Sequence, residues 1–129
     1  MIIMKLDIDC IRDTLAYMNL EESPEDIIPK DVCDYYSSKY TLEQVQDTMR
    51  ELYRCECITG GILHADNRVV NELYRNLTLK GFDLLNDLND KTTSAKVKKV
   101  LSGFGSFTLD IVLDVLKEKI TGTLMGLIP

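Results

Sequence analysis

The sequence contains no tryptophan, a single histidine, three prolines and seven glycines among 129 residues. Long apolar runs are also missing, so nothing supplies the ~20-residue stretch that spans a bilayer. The N-terminus, Met1-Ile2-Ile3-Met4-Lys5-Leu6-Asp7, has no charged region followed by a long apolar run, so it does not read as a signal peptide. Positive charge is in deficit. The formal net charge is -6, which argues against a broad basic surface for nucleic acid. Catalytic signatures are absent too: there is no G-x-S-x-G, Walker A or G-x-G-x-x-G pattern. His64, the lone histidine, falls in an expected exposed turn, and a general base needs a nucleophile and an orienting partner beside it. Carboxylate pairs such as Asp7/Asp9 and Glu21/Glu22 fall at a helix start and in a linker, where charge is ordinarily solvated. The expectation is a protein that is not an enzyme and takes no cofactor.

What the chain does hold is enough apolar material, 45% of residues, to exclude disorder and to build one compact domain. Its four cysteines, Cys10, Cys33, Cys55 and Cys57, fit free thiols in a reduced, cytoplasmic setting. Cys55, Cys57 and His64 make a C-x-C-x6-H spacing without the usual C-x2-C pair, so no metal site is expected.

Periodicity then orders the chain. Leu6, Cys10, Ile11, Leu15 and Met18 make the stripe of a first helix over 6–18, with Asp7 and Asp9 in its first turn and Asn19 at its end. Pro29 suits the first position of a second helix running to about Tyr40. Thr41 with Gln44 is a capping box that starts a third helix, with Leu42, Val45, Met49 and Leu52 buried. Cys57–Leu63 and Val69–Arg75 alternate like strands across a five-residue connection, His64–Arg68. Thr78 caps a fourth helix whose apolar side is Leu79, Phe82, Leu85 and Leu88. A fifth helix is expected over Thr93–Leu101, and a sixth follows a Ser106 or Thr108 cap. The predicted fold is mainly α (α+β): a winged helix-turn-helix with a small β-hairpin wing and two extra C-terminal helices. Residues 1–90 form its core and 91–129 an extension, either in the same compact domain or as a dimer element.

Three segments carry a family resemblance: Met4–Asp9, Asn76–Asp87 and Gly105–Val112. Through them the chain resembles a family of short bacterial and phage proteins with no established activity. That resemblance implies a small winged-helix protein with two added C-terminal helices. The chain departs from the family pattern at Lys80-Gly81-Phe82, where Glu-Gly-His is usual, and in having no tryptophan after the Asn-Asp region. No site residue is carried over from the family.

The architecture implies DNA binding, because the second helix of such a motif enters the major groove and the wing reaches the neighbouring one. Of the positions expected to be exposed on the third helix, Gln44, Gln46 and Arg50 have the chemistry to read base edges, and Arg54 lies beside them. Arg68 at the wing tip can reach phosphate or the minor groove. Glu43, Asp47 and Glu51 lie on the same helix and oppose phosphate. That opposition supports an alternative, an acidic interaction module that meets a basic protein. Phe107, Ile111, Val115 and Ile120 line the last helix as a face for the core or for a second copy of the chain. Charge is graded along the chain: residues 1–54 sum to -6, 55–90 to -3 and 91–129 to +3. The basic excess gathers at Lys91, Lys96, Lys98 and Lys99, so the acidic total weighs against conventional docking more than against nucleic acid as such.

Overall fold

A computed structural model describes residues 6–20, 26–37 and 39–124. The polar connector at 21–25 and the tail at 125–129 lie outside the described residues.

The first helix, α1 (Ile8–Met18), starts two residues later than its apolar stripe suggests. Asp7 is its N-cap rather than part of its first turn, and its carboxylate accepts the Asp9 N–H at 2.7 Å. Ile11 and Leu15 are fully buried. Helix α2 (Pro29–Tyr35) opens on Pro29 as expected, and Asp31 accepts the Ile28 N–H at 3.0 Å. It stops well short of Tyr40, because Ser37 adopts a left-handed φ of 52° that turns the chain out of the helix. Two tyrosines secure that turn through Asp13 of α1. Tyr36 Oη donates to the Asp13 carbonyl at 2.8 Å, and Tyr40 Oη donates to the Asp13 carboxylate. Burial and the neighbouring Asp13 charge push the Tyr36 hydroxyl up to about 12.

Helix α3 (Leu42–Arg54) is capped by Thr41, whose hydroxyl accepts the Gln44 N–H at 3.1 Å. Val45, Met49 and Leu52 are fully buried, each contributing about 1.5–3 kcal/mol of transfer free energy. Leu42 is exposed, because it stands in the first turn beyond the edge of the core; Thr48 and Glu51 are buried in its stead.

Strands β1 (Ile58–Ala65) and β2 (Arg68–Leu77) pair antiparallel, with Ala65 opposite Arg68. The turn has two residues rather than five. Asp66 and Asn67 both take positive φ, 53° and 63°, the mirror-type geometry whose twist matches the strands and which short Asx side chains tolerate. His64 thus belongs to β1. One further bridge ties Ile27 to Tyr74 by reciprocal N–H···O bonds of 2.7 and 2.8 Å, fastening the approach to α2 onto the hairpin.

Helix α4 (Leu79–Asn89) is capped by Thr78, which accepts the Gly81 N–H at 3.2 Å. Its core face is Gly81, Leu84, Leu85 and Leu88, while Leu79 and Phe82 are exposed. The helix is turned so that Gly81, the residue with no side chain, abuts the Cys57 carbonyl. Helix α5 (Lys91–Leu101) begins two residues earlier than Thr93, because Asp90 accepts the Thr92 and Thr93 N–H groups. Helix α6 (Leu109–Leu124) begins after Thr108, whose carbonyl accepts the Ile111 N–H at 3.1 Å. It closes the core with Leu109, Val112 and Leu116. The order is a winged helix-turn-helix followed by two further helices. No helix among the described residues is long and apolar enough to cross a membrane.

Candidate nucleic-acid interface

Helix α3 and the hairpin stand together, and the side chain that joins them is Arg50. Its Nε and Nη2 meet the two oxygens of Glu72 on β2 at 3.2 and 2.6 Å, a bidentate pair. Glu72 is buried and also accepts the Tyr74 hydroxyl at 2.8 Å, so neither carboxylate oxygen is idle. Arg50 is therefore a strut between the helix and the wing.

Arg54 works the same way one turn further along, at the C-terminus of α3. Its Nε and Nη2 meet Glu51 at 2.7 and 3.0 Å, and Nη2 reaches Asp110 of α6 at 2.6 Å. Glu51, expected from sequence to oppose phosphate, is instead buried, and its carboxylate also accepts the Leu109 N–H at 3.2 Å. It thereby takes up an orphan donor at the start of α6. The Arg54 hydrogen bonds hold the Glu51 carboxyl below its ordinary range, against the opposing push of burial. Asp110 is lowered by the same arginine. Cys55 donates its thiol to Asp110 at 3.6 Å, and burial pushes that thiol up to about 11.

The remaining candidates are distributed as follows. Gln44 and Gln46 are half-buried on α3, and Gln46 borders a groove of about 280 Å³ with Ile28, Leu42, Val69 and Glu72. Glu43 is exposed and Asp47 half-buried on the same helix. Burial, followed by the charge of Glu43, raises the Asp47 carboxyl. Arg68 is exposed at the hairpin tip, with no ion-pair partner among the described residues. Ile111, Val115 and Phe107 are half-buried against the core, and the Ile120 side chain lies outside the described residues.

Cys55 and Cys57 are buried where α3 turns into β1, while His64 is exposed near the hairpin tip. Among the described residues, no three His, Cys, Asp or Glu side chains converge as metal ligands.

Sequence reasoning missed Glu72, Asp110 and the role of Glu51. For Glu51 a signal existed: it neighbours Leu52 and follows Thr48 by one turn, on the buried side of α3. Glu72 and Asp110 gave no local signal, because their partners are 22 and 56 residues away.

These elements define a winged helix-turn-helix protein. No family model matches the chain, and no curated protein matches it. Among solved structures it is similar to a mutant of Staphylococcus aureus MepR bound to an oligodeoxyribonucleotide, at 18% identity. The match covers 93% of this chain and 79% of that one with a TM-score of 0.46, so the fold rests here on its own elements.

Proposed function

We propose that this is a regulatory DNA-binding or DNA-proximal protein of phage, prophage or bacterial origin, working in the cytoplasm. The observation that carries this reading is the pairing of α3 with a hairpin whose tip presents an exposed Arg68 with no ion-pair partner among the described residues. In that arrangement α3 enters the major groove, Gln44 and Gln46 meet base edges, and Arg68 reaches the adjacent groove or its phosphates. Arg50 and Arg54 are held in carboxylate pairs, and each joins the DNA surface only by leaving its carboxylate. Residues 1–90 are the winged-helix core of this reading and 91–129 its extension. A second copy docks through Phe107, Ile111, Val115 and Ile120, which supplies the symmetry that a palindromic site requires. The test is titration of a labelled random duplex at about 50 mM salt, where even non-specific contacts register. Absence of binding there overturns the proposal.

One observation favours a second reading. With Arg50 and Arg54 neutralised inside the molecule, the charges that α3 turns outward are Glu43 and Asp47. A basic protein partner would meet them there. Capture of partners that is indifferent to Glu43→Lys with Asp47→Lys removes this alternative.

A further inference from the structure

The basic side chains of this chain divide into two groups once their partners are known. In the first three helices and the turn between α2 and α3, Arg12, Lys30, Lys39, Arg50 and Arg54 all pair with carboxylates at 3.4 Å or less. On α5 the reverse holds: Lys91, Lys96 and Lys99 are exposed and make no ion pair among the described residues. Lys98 alone is paired, with Asp9 at 2.8 Å. Arg68, Lys80 and Lys117 are also exposed without an ion pair among the described residues, but no two of them share an element.

Geometry sets two of the lysines of α5 together. The helix buries Ser94, Val97 and Leu101, and at 3.6 residues per turn Lys96 and Lys99 fall on the opposite side, with exposed Lys91 on its flank. No acidic residue lies within α5. The strip from Lys91 to Lys99 rises about 12 Å, a length of duplex that carries about seven phosphate charges. Between these lysines the outward face holds only Thr92 and Ala95, while the exposed apolar side chains Val100 and Phe104 lie beyond Lys99. A protein interface draws its affinity from aromatic or arginine anchors, and this stretch has none. Flexible point charges without an anchor are what a phosphate backbone recruits irrespective of sequence. Lys91 stands, moreover, in the first turn of α5, where the helix dipole disfavours a cation. Its place there does nothing for the helix.

We propose that the outer face of α5 is a duplex phosphate-contact surface, carried by Lys91, Lys96 and Lys99, which supplies the charge that α3 has spent internally. This inference rests on the DNA-binding reading above. The test measures anisotropy of a labelled random-sequence 20-bp duplex between 50 and 200 mM salt, for the full chain and for K91Q/K96Q/K99Q. Losing three phosphate contacts lowers the slope of log K against log salt by about 2.7. Equivalently, the affinity the variant loses over that range is about 40-fold less than the wild type loses. Arg68→Gln is the comparison and lowers the slope by about 1. A wild type that binds, with an unchanged slope in the triple variant, overturns the α5 surface and leaves the DNA reading standing. A wild type that binds no duplex overturns both. Binding of labelled polyglutamate in place of duplex, abolished by the triple variant, assigns the face to an acidic protein and likewise overturns the proposal. All three side chains are exposed, and Lys91→Gln removes an unfavourable dipole contact. The variant is therefore expected to keep the wild-type circular dichroism and a Tm at or above the wild type's.

Discussion

At Gly81 the fold accommodates a hydrogen and nothing larger, because a Cβ there would collide with the Cys57 carbonyl. That carbonyl is already fixed by the Thr78 N–H at 2.9 Å, and the Thr78 hydroxyl donates to the Glu56 carbonyl. Neither side can give way without disturbing the junction of α3, β1 and α4. Gly81→Ala should therefore destabilise by about 2–3 kcal/mol despite the better helix propensity of alanine; a urea midpoint equal to wild type would refute this. Ser94 is the opposite case. It is buried on α5, and its hydroxyl has no hydrogen-bond partner among the described residues. Ser94→Ala removes an unsatisfied polar group and adds helix propensity, for an expected gain of about 1 kcal/mol, read as a higher urea midpoint at unchanged slope.

Among the elements, α3 is held in its C-terminal half by two sets of charge pairs whose arginines would otherwise be available to a ligand. Releasing one should change binding and stability in opposite directions. Glu72→Gln weakens the hold on Arg50, frees its charge for phosphate, and removes an acid from the α3–wing groove. Duplex affinity at low salt should rise a few-fold while stability falls by about 1 kcal/mol; affinity at or below wild type would show that Arg50 has no part in binding. The element level is also where the sequence was most readable. Apolar spacing located α1, α3, α4 and α6, while Pro29 and the basic stretch before Gly103 pointed to α2 and α5. Thr41 and Thr78 cap helices as their positions indicate. The errors have identifiable causes. Helix α2 was read too long because no pattern announces the left-handed Ser37, which Tyr36 and Tyr40 secure through a distant Asp13. The hairpin turn was read too long because Asx residues at positive φ let the strands run almost to the tip. Leu79 and Phe82 kept helical spacing with the core leucines, yet the close approach at Gly81 turned them outward. The candidate surface was legible as residue types but not as availability. Arg50 and Arg54 look like contact residues until the partners contributed by β2 and α6 come into view.

For the molecule as a whole, net charge and ion pairing pull on stability in different pH ranges. At pH 7 the net charge is -6, and with a sequence pI near 4.7 acidification first relieves self-repulsion. Below that point the paired carboxylates decide. Burial raises the Asp13 carboxyl, but hydrogen bonds from Tyr40 and Arg12 outweigh it and leave the group below its ordinary value. Glu51 and Asp110 are lowered by Arg54. A carboxylate whose folded pKa is depressed contributes stability that is fully present above its unfolded value, about 4, and is lost as pH falls through the folded one. Protonation also builds positive charge on a chain with 15 lysines and arginines, so the two effects add on the acid side. The expected profile is nearly flat from pH 7 to 5, followed by a steep fall in Tm from about pH 4 to 3. Asp13→Asn should start from a lower Tm at pH 7, because Arg12, Lys39 and Tyr40 lose their shared acceptor charge. It should then fall less steeply in acid, because one of the depressed groups no longer titrates. Parallel acid limbs for the two proteins, measured by scanning calorimetry at fixed ionic strength, would remove Asp13 from the set that holds α1 against the helix-turn-helix.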